Sequence, residues 1–295
     1  MLENGTFTVI IPAHNEESVI ARCLATIQRD DHDGHAMTIV VAANGCSDRT
    51  VEVARAAAPD ALVLDLAHGS KTGAINAANR HALPFPRIVL DADVECGFHS
   101  LAALAQVLRQ PGIMAAAPQI RIDLAHCNWA MKAYYRVWSR QPYARAGKGG
   151  AGCYGLSAAA LSRIGEFPAI IGDDLWIHTR FADHERCYVS EDTEGRPVFS
   201  VVYPPRTAIE QIRIEARRFI GTAEVHRLHP SPHVAISEES GGLAAFRNSG
   251  NIKDLLVYFT IKISARLLAK WRLIRGRGRN WSRDVSSRVL AKTDA

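Results

Sequence analysis

The chain has 295 residues, 47% of them hydrophobic and 22% charged, which suits one substantial buried core or two modest ones and excludes disorder along its whole length. Its formal charge is +5, but eleven Lys or Arg against three Asp put +8 on Asn251 to Ala295 and leave −3 on residues 1–250. That distribution argues against a nucleic-acid partner, for which Lys and Arg should line the fold itself, and makes the tail a candidate for an anionic lipid surface.

In chain order, strand signals at Phe7 to Ile11, Met37 to Ala42, Ala61 to Leu66 and Arg87 to Leu90 alternate with helical stretches at Glu16 to Gln28, Asp48 to Ala58 and Thr72 to His81. Such alternation predicts right-handed βαβ units and a parallel sheet. Polar or small residues follow the strands: Pro12-Ala13-His14-Asn15-Glu16, then Ala43-Asn44-Gly45, then Asp91-Ala92-Asp93. At the C-terminal edge of an open sheet these are ligand-facing positions, in outline a nucleotide-binding half-domain. A helix is predicted from His99 to Leu108, short strands near Ile113 to Ala117 and Gln119 to Ile122, an aromatic-rich helix from Asn128 to Arg140, and a short helix from Ala158 to Ile164.

The expected organisation is one domain over 1–228, with a nucleotide-binding half at 1–95 and an acceptor half at 96–228. A Pro, Gly and Ser-rich linker at 229–250 and a basic tail at 251–295 follow. Six cysteines without C-x-x-C pairing indicate neither a zinc knuckle nor a disulfide framework. With no signal-peptide pattern at Met1 to Gly5, a reducing cytosol is the expected compartment.

Chemistry concentrates on Asp91-Ala92-Asp93. Two carboxylates one residue apart suit a hard cation, Mg²⁺ or Mn²⁺, whose remaining positions take diphosphate oxygens. An Asp pair after a strand also caps turns. Neither G-x-G-x-x-G nor a P-loop occurs, since Gly147-Lys148-Gly149-Gly150 has no Ser or Thr after its Lys and no strand before it. The neighbouring Gly149-Gly150-Ala151-Gly152 reads either as a close backbone approach to a donor sugar or as a plain loop.

Five fragments in order carry a family likeness: Val9-Ile10-Ile11-Pro12-Ala13-His14-Asn15-Glu16, Asn44-Gly45-Cys46-Ser47-Asp48-Arg49-Thr50, Lys71-Thr72-Gly73-Ala74-Ile75-Asn76, Asp91-Ala92-Asp93 and Gly172-Asp173-Asp174-Leu175. Each alone is degenerate; together, over residues 6–228, the chain resembles the family 2 glycosyltransferases of the GT-A fold, a Rossmann-like mixed sheet flanked by helices. The resemblance implies hexosyl transfer, with inversion, from a nucleotide diphosphate sugar, usually a uridine one, to a hydroxyl acceptor in cell-surface polysaccharide or glycolipid synthesis.

On that likeness Pro12, Ala13, Asn15, Glu16 and Asn44 border the base and ribose, Lys71 lies near the base or diphosphate, and Asp91 and Ala92 belong to the donor site. Asp93, with Asp91, ligates the metal. Asp174 occupies the position of the base that takes the acceptor's proton; Asp173-Asp174 also reads as a helix N-cap. Glu215-Ala216-Arg217-Arg218-Phe219 stands where processive synthases carry Gln-x-x-Arg-Trp, so Arg217 or Arg218 is a candidate diphosphate clamp, or part of a solvated basic face. His226 or His229 is a candidate third metal ligand, or a surface residue.

Ala43-Asn44 replaces the two acids of many relatives, which leaves the preference for uridine open. Two rival readings remain: a retaining GT-A transferase, and a non-catalytic nucleotide-sugar-binding protein recruited to a membrane.

In the tail, Ile252, Leu256, Phe259, Ile263, Leu267, Trp271 and Ile274 recur every three or four residues among Lys253, Lys262, Arg266, Lys270 and Arg272. The pattern predicts an amphipathic basic helix, too charged to span a bilayer, lying on an anionic membrane through residues 251–283, or packing on the domain or a second subunit. The membrane alternative would make the enzyme peripheral to the inner face of the cell membrane, with a lipid-linked acceptor.

Overall fold

The computed structural model describes residues 5–29, 36–141, 144, 152–231, 233 and 251–275. The glycine run at 147–151 and most of the expected linker lie outside them, as do the basic residues beyond Arg275. Two compact units divide the chain, one from Met1–Arg121, Gly150–Ala169 and Ile177–Val202, the other from Ile122–Gly149, Ile170–Trp176 and Tyr203–Ala295. This division differs from the expected halves at 1–95 and 96–228, because the helix after Asp93 packs into the core of the first unit.

The first unit is a sheet of nine strands among the described residues, β1 Phe7–Ala13, β2 Met37–Asn44, β3 Leu62–Leu66, β4 Arg87–Leu90, β5 Val94–Glu95, β6 Ala115–Ile122, β7 Cys153–Leu156, β8 Arg186–Val189 and β9 Phe199–Val202. Their order is β3-β2-β1-β4-β7-β6-β9-β5, with β8 beside β6. The pairs β1–β2, β2–β3 and β1–β4 are parallel, and β4–β7 is antiparallel. Strand β1 is central and buried at every residue, which is why it reads as a continuous apolar run rather than an alternating one.

Alternate residues of β1 serve opposite faces. Phe7, Val9, Ile11 and Ala13 join a core with Ile20, Leu24 and Ile27 of α1 (Ile20–Gln28) and Leu101, Leu104 and Leu108 of α4 (Phe98–Leu108). Ile10 points to a second cluster with Val40 and with Ala78 of α3 (Lys71–Asn79). Each fully buried Ile or Leu here contributes roughly 1.5–3 kcal/mol. The remaining helices are α2 Thr50–Ala57, α5 Trp129–Trp138, α6 Ala158–Ile164, α7 Asp173–Arg180, α8 Ala208–Leu228 and α9 Ile252–Ile274.

Several predicted boundaries shift for local reasons. Helix α1 starts at Ile20 rather than Glu16, because the Glu16 backbone N–H donates to Thr50 Oγ1 (2.7 Å) and residues 17–19 form a turn. The two strands expected on either side of Pro118 are one strand, since the fixed φ of proline fits extended backbone and Gln119 N donates to the Val198 carbonyl (3.3 Å).

In the second unit α9 packs on α8 and α5. Asn128, Thr207 and Asn251 cap α5, α8 and α9 through side-chain oxygens, and such caps are worth about 1 kcal/mol each. Tyr134 and Tyr258 stack at 5.1 Å, and Arg136 holds Asp254 through two hydrogen bonds of 2.7 Å. The tail helix, for which packing on the domain was one of the expected alternatives, is part of this unit's core through one face, Leu255, Tyr258, Ile261, Ala265 and Ala269.

Candidate active site

The strand order creates the site. The chain builds β1, β2 and β3 outward in one direction and then returns to place β4 on the other side of β1, so the connections diverge between β1 and β4 and open a crevice at their C-terminal ends. Residues 12–16 leave β1 there, and Asp91-Ala92-Asp93 leaves β4.

Three loops along this edge lock one another. Asn44 Nδ2 donates to the carbonyls of Ala13 (2.9 Å) and Ala42 (3.1 Å), and Asn44 Oδ1 accepts from Ser70 N (2.9 Å). His14 Nδ1 donates to the Asn44 carbonyl at 2.6 Å, and Asn15 Oδ1 accepts from Ser47 N at 2.6 Å. Asn15 adopts φ 54°, a left-handed conformation that Asn tolerates better than most residues. Gly45, at φ +60°, lies so close to Gly69 that a Cβ would come within 2.6 Å of the Gly69 nitrogen. The glycine is thus required by both its backbone and its neighbour.

These bonds change the reading of Asn44. With 2% exposure and both amide protons engaged by backbone carbonyls, its side chain fastens the loops after β1, β2 and β3 instead of offering an edge to a base. Pro12, Ala13, Glu16 and Ala92 are buried too, whereas His14, Asn15, Lys71, Asp91 and Asp93 retain partial exposure along the crevice.

The two aspartates differ in their surroundings. Lys71, first residue of α3, places Nζ 2.6 Å from Asp91 Oδ1. Sequence order brings Lys71 and Asp91 no nearer than twenty positions; the parallel sheet joins them. Beneath this turn Asp91 N donates to the Gly152 carbonyl (2.8 Å), and a Cβ on Gly152, whose φ is +59°, would stand 2.5 Å from Val94 Cγ2 and 3.4 Å from Asp91 Oδ2. Sequence reasoning had no signal separating Gly152 from the glycines before it. Gly152→Ala is expected to lower stability by about 1–3 kcal/mol through strain and overpacking. Thermal denaturation beside the parent chain checks the effect.

The six cysteines, all among the described residues, form no disulfide. Cys23 is buried under the same turn, and burial, reinforced by the nearby Asp93 charge, pushes its thiol well above the usual range, so it is a packing residue rather than a nucleophile.

Among the described residues no group of three or more His, Cys, Asp or Glu converges to hold a metal. Two carboxylates one residue apart suit a hard cation that keeps further positions for phosphate oxygens and water, rather than a closed protein cage. His229 packs edge-on to Trp176 at 6.4 Å.

In the second unit Asp173 and Asp174 open α7 and diverge: Asp173 is buried and Asp174 exposed, its Oδ1 accepting from Leu175 N at 2.8 Å. The start of α7 rests on α8, where Ile171 N donates to the Glu224 carboxylate (3.3 Å) and Gly172 meets Val225. On α8, Glu215 is buried and accepts from Gln211 Nε2 (3.3 Å), Arg218 Nη1 (3.1 Å) and Lys262 Nζ (2.6 Å) of α9. Glu215 is thus the buried charged residue of the segment, while the Arg218 side chain is about half exposed. Desolvation works against the Arg218 charge, but the Glu215 carboxylate beside it outweighs that effect and holds the guanidinium above its ordinary pKa. Arg217 is partly exposed.

A mostly parallel mixed sheet flanked by helices, with a switch-point crevice between β1 and β4, has the architecture of the GT-A fold. The chain belongs to glycosyl transferase family 2, whose sequence profile matches residues 8–163. Among solved structures, it is similar to a mannosyltransferase from Pyrobaculum calidifontis in complex with GDP-mannose and Mn²⁺, with a TM-score of 0.61 and 21% identity over 90% of this chain and 87% of that one. It is also similar to glucosyl-3-phosphoglycerate synthase from Mycobacterium tuberculosis in complex with Mn²⁺, UDP-glucose and phosphoglyceric acid, with a TM-score of 0.51 and 15% identity over 74% of this chain and 79% of that one. No curated protein sequence matches the chain. At these identities the likeness to solved structures establishes the fold.

Proposed function

We propose that the chain is a metal-dependent, inverting hexosyltransferase that moves a sugar from a nucleoside diphosphate sugar, uridine being the base the family likeness implies, to a hydroxyl acceptor. The observation carrying this reading is the Lys71–Asp91 ion pair at 2.6 Å, set beside Asp93 at the C-terminal end of β4. A lysine held there by one carboxylate offers positive charge to a diphosphate and stabilises the charge that grows as the glycosidic bond breaks. Asp93, with Asp91, would hold a divalent cation, Mg²⁺ or Mn²⁺, which supplies further neutralisation of the departing phosphate.

His14 and Asn15 border the nucleoside, and Asn44 keeps their loop in place from behind. Asp174 removes the acceptor hydroxyl's proton, since a sugar hydroxyl is a poor nucleophile until that proton leaves. Arg217 or Arg218 is the candidate clamp for the diphosphate. The test is a thermal-shift panel of nucleoside diphosphates and nucleotide sugars with and without Mn²⁺. One nucleotide should raise the melting temperature only when cation is present, and Asp93→Ala should abolish that rise. A nucleotide shift indifferent to cation, or unchanged in Asp93→Ala, would remove the metal from the proposal. The anomeric configuration of the product decides between inversion and retention.

A further inference from the structure

We infer that the outward face of α9 is a docking surface for an anionic lipid bilayer. The inference stands on the helix itself and is independent of the transfer chemistry. Ile252, Leu256, Ile263, Leu267 and Trp271 are 73%, 64%, 56%, 64% and 42% exposed. Their spacing of four, seven, four and four residues keeps them on one stripe, and this stripe lies on the side of the helix opposite Leu255, Tyr258, Ile261, Ala265 and Ala269, which are buried. The helix therefore has two apolar faces, one packed against α5 and α8 and one open. Isolated exposed leucines need no explanation, but a continuous stripe along a 23-residue helix does.

The charges around the stripe identify what covers it. Lys253, Arg266, Lys270 and Arg275 are exposed on the same helix or at its end, and Arg277, Arg279 and Arg283 follow in sequence, within a segment whose net charge is +8. An apolar strip rimmed by cations complements an anionic membrane, where acyl chains receive the side chains and headgroups receive the Lys and Arg. A second copy of the chain would bring two such +8 segments together, which like-charge repulsion opposes. Among the described residues no helix is long and apolar enough to cross a membrane, so α9 would lie in the interface plane. Asp254 with Arg136 and Glu215 with Lys262 tie α9 to the second unit, which gives the docked helix a rigid connection to Asp174 on α7. A bilayer held there would present hydroxyl acceptors carried on lipids.

Flotation of the full chain with vesicles of phosphatidylcholine alone, or of phosphatidylcholine with phosphatidylglycerol, tests the inference at low and raised salt. Binding should require phosphatidylglycerol and fall as salt rises. Ile263→Glu with Leu267→Glu should weaken it at least tenfold, and Lys253→Glu with Lys270→Glu should weaken it by about fivefold for each lost cation. Both pairs are on exposed positions, so an unchanged melting temperature confirms that the fold is intact. Absence of flotation, or flotation undiminished by the Ile263 and Leu267 replacements, overturns the inference. A concentration-dependent dimer abolished by those same replacements also overturns it, because the stripe would then be covered by a second copy.

Discussion

Asp174→Asn is expected to lower turnover by about 10²–10⁴-fold, the usual contribution of a positioned general base, while leaving donor affinity and melting temperature close to those of the parent chain. Asparagine keeps the oxygen that accepts from Leu175 N, so the start of α7 should survive. Losing one negative charge in the first turn of a helix costs only about 0.3–1 kcal/mol at an exposed position. The matched replacement Asp173→Asn separates chemistry from architecture. Asp173 is buried, with 2% exposure, and its loss should appear mainly as a lower melting temperature. Steady-state rates at saturating donor, measured beside donor titrations, distinguish the two variants. Undiminished turnover in Asp174→Asn would remove this residue from the mechanism.

The contrast between these neighbouring acids shows what a sequence can and cannot disclose. The apolar run of β1 and the Arg87 to Leu90 strand are continuous hydrophobic signals, because a central parallel strand is buried on both faces; their positions were legible, and with them the edge on which Asp91 and Asp93 stand. Strand β5 has only two residues, and Gly155 in β7 and Ser200 in β9 break the kind of continuous aliphatic run that marks β4. Side-chain assignments were harder. Asn44 has the donors and acceptor to read a nucleobase, and only the tertiary arrangement of Ala13, Ala42 and Ser70 reveals that those groups are already engaged. Gly152 matters through Val94 and Asp91, residues far away in order. The apolar repeat of α9 was visible, but its periodicity identified the face left open, and the packed face includes small and polar residues that no hydrophobic count would select.

Glu215→Ala is expected to destabilise the protein by about 3 kcal/mol, the cost typical of breaking a buried ion pair from one side. Lys262 would remain beside α8 with its carboxylate partner gone, and Arg218 would lose the acceptor that fixes its guanidinium. Replacing both members, Glu215→Ala with Lys262→Met, should recover most of the loss, because the more buried Lys262 charge no longer stays behind and the half-exposed Arg218 is solvated; a double variant as unstable as the single one would show that the Glu215–Lys262 pair is not the cause. Glu215→Gln, which restores the residue of the processive synthases, should fall between, keeping an acceptor for Lys262 but not the charge. The pH dependence follows from the same contacts. Burial alone would raise the Glu215 carboxyl, but Lys262 and Arg218 outweigh it and hold its pKa below the ordinary value. A group depressed in the folded state stabilises it above the unfolded pKa of about 4.3, and that contribution disappears as pH falls through the folded value. Acid unfolding of the parent chain should therefore be steeper below about pH 4 than that of Glu215→Gln, the two curves converging as the carboxylate protonates. Curves that stay parallel down to the lowest pH would mean that Glu215 is not titrating in that range.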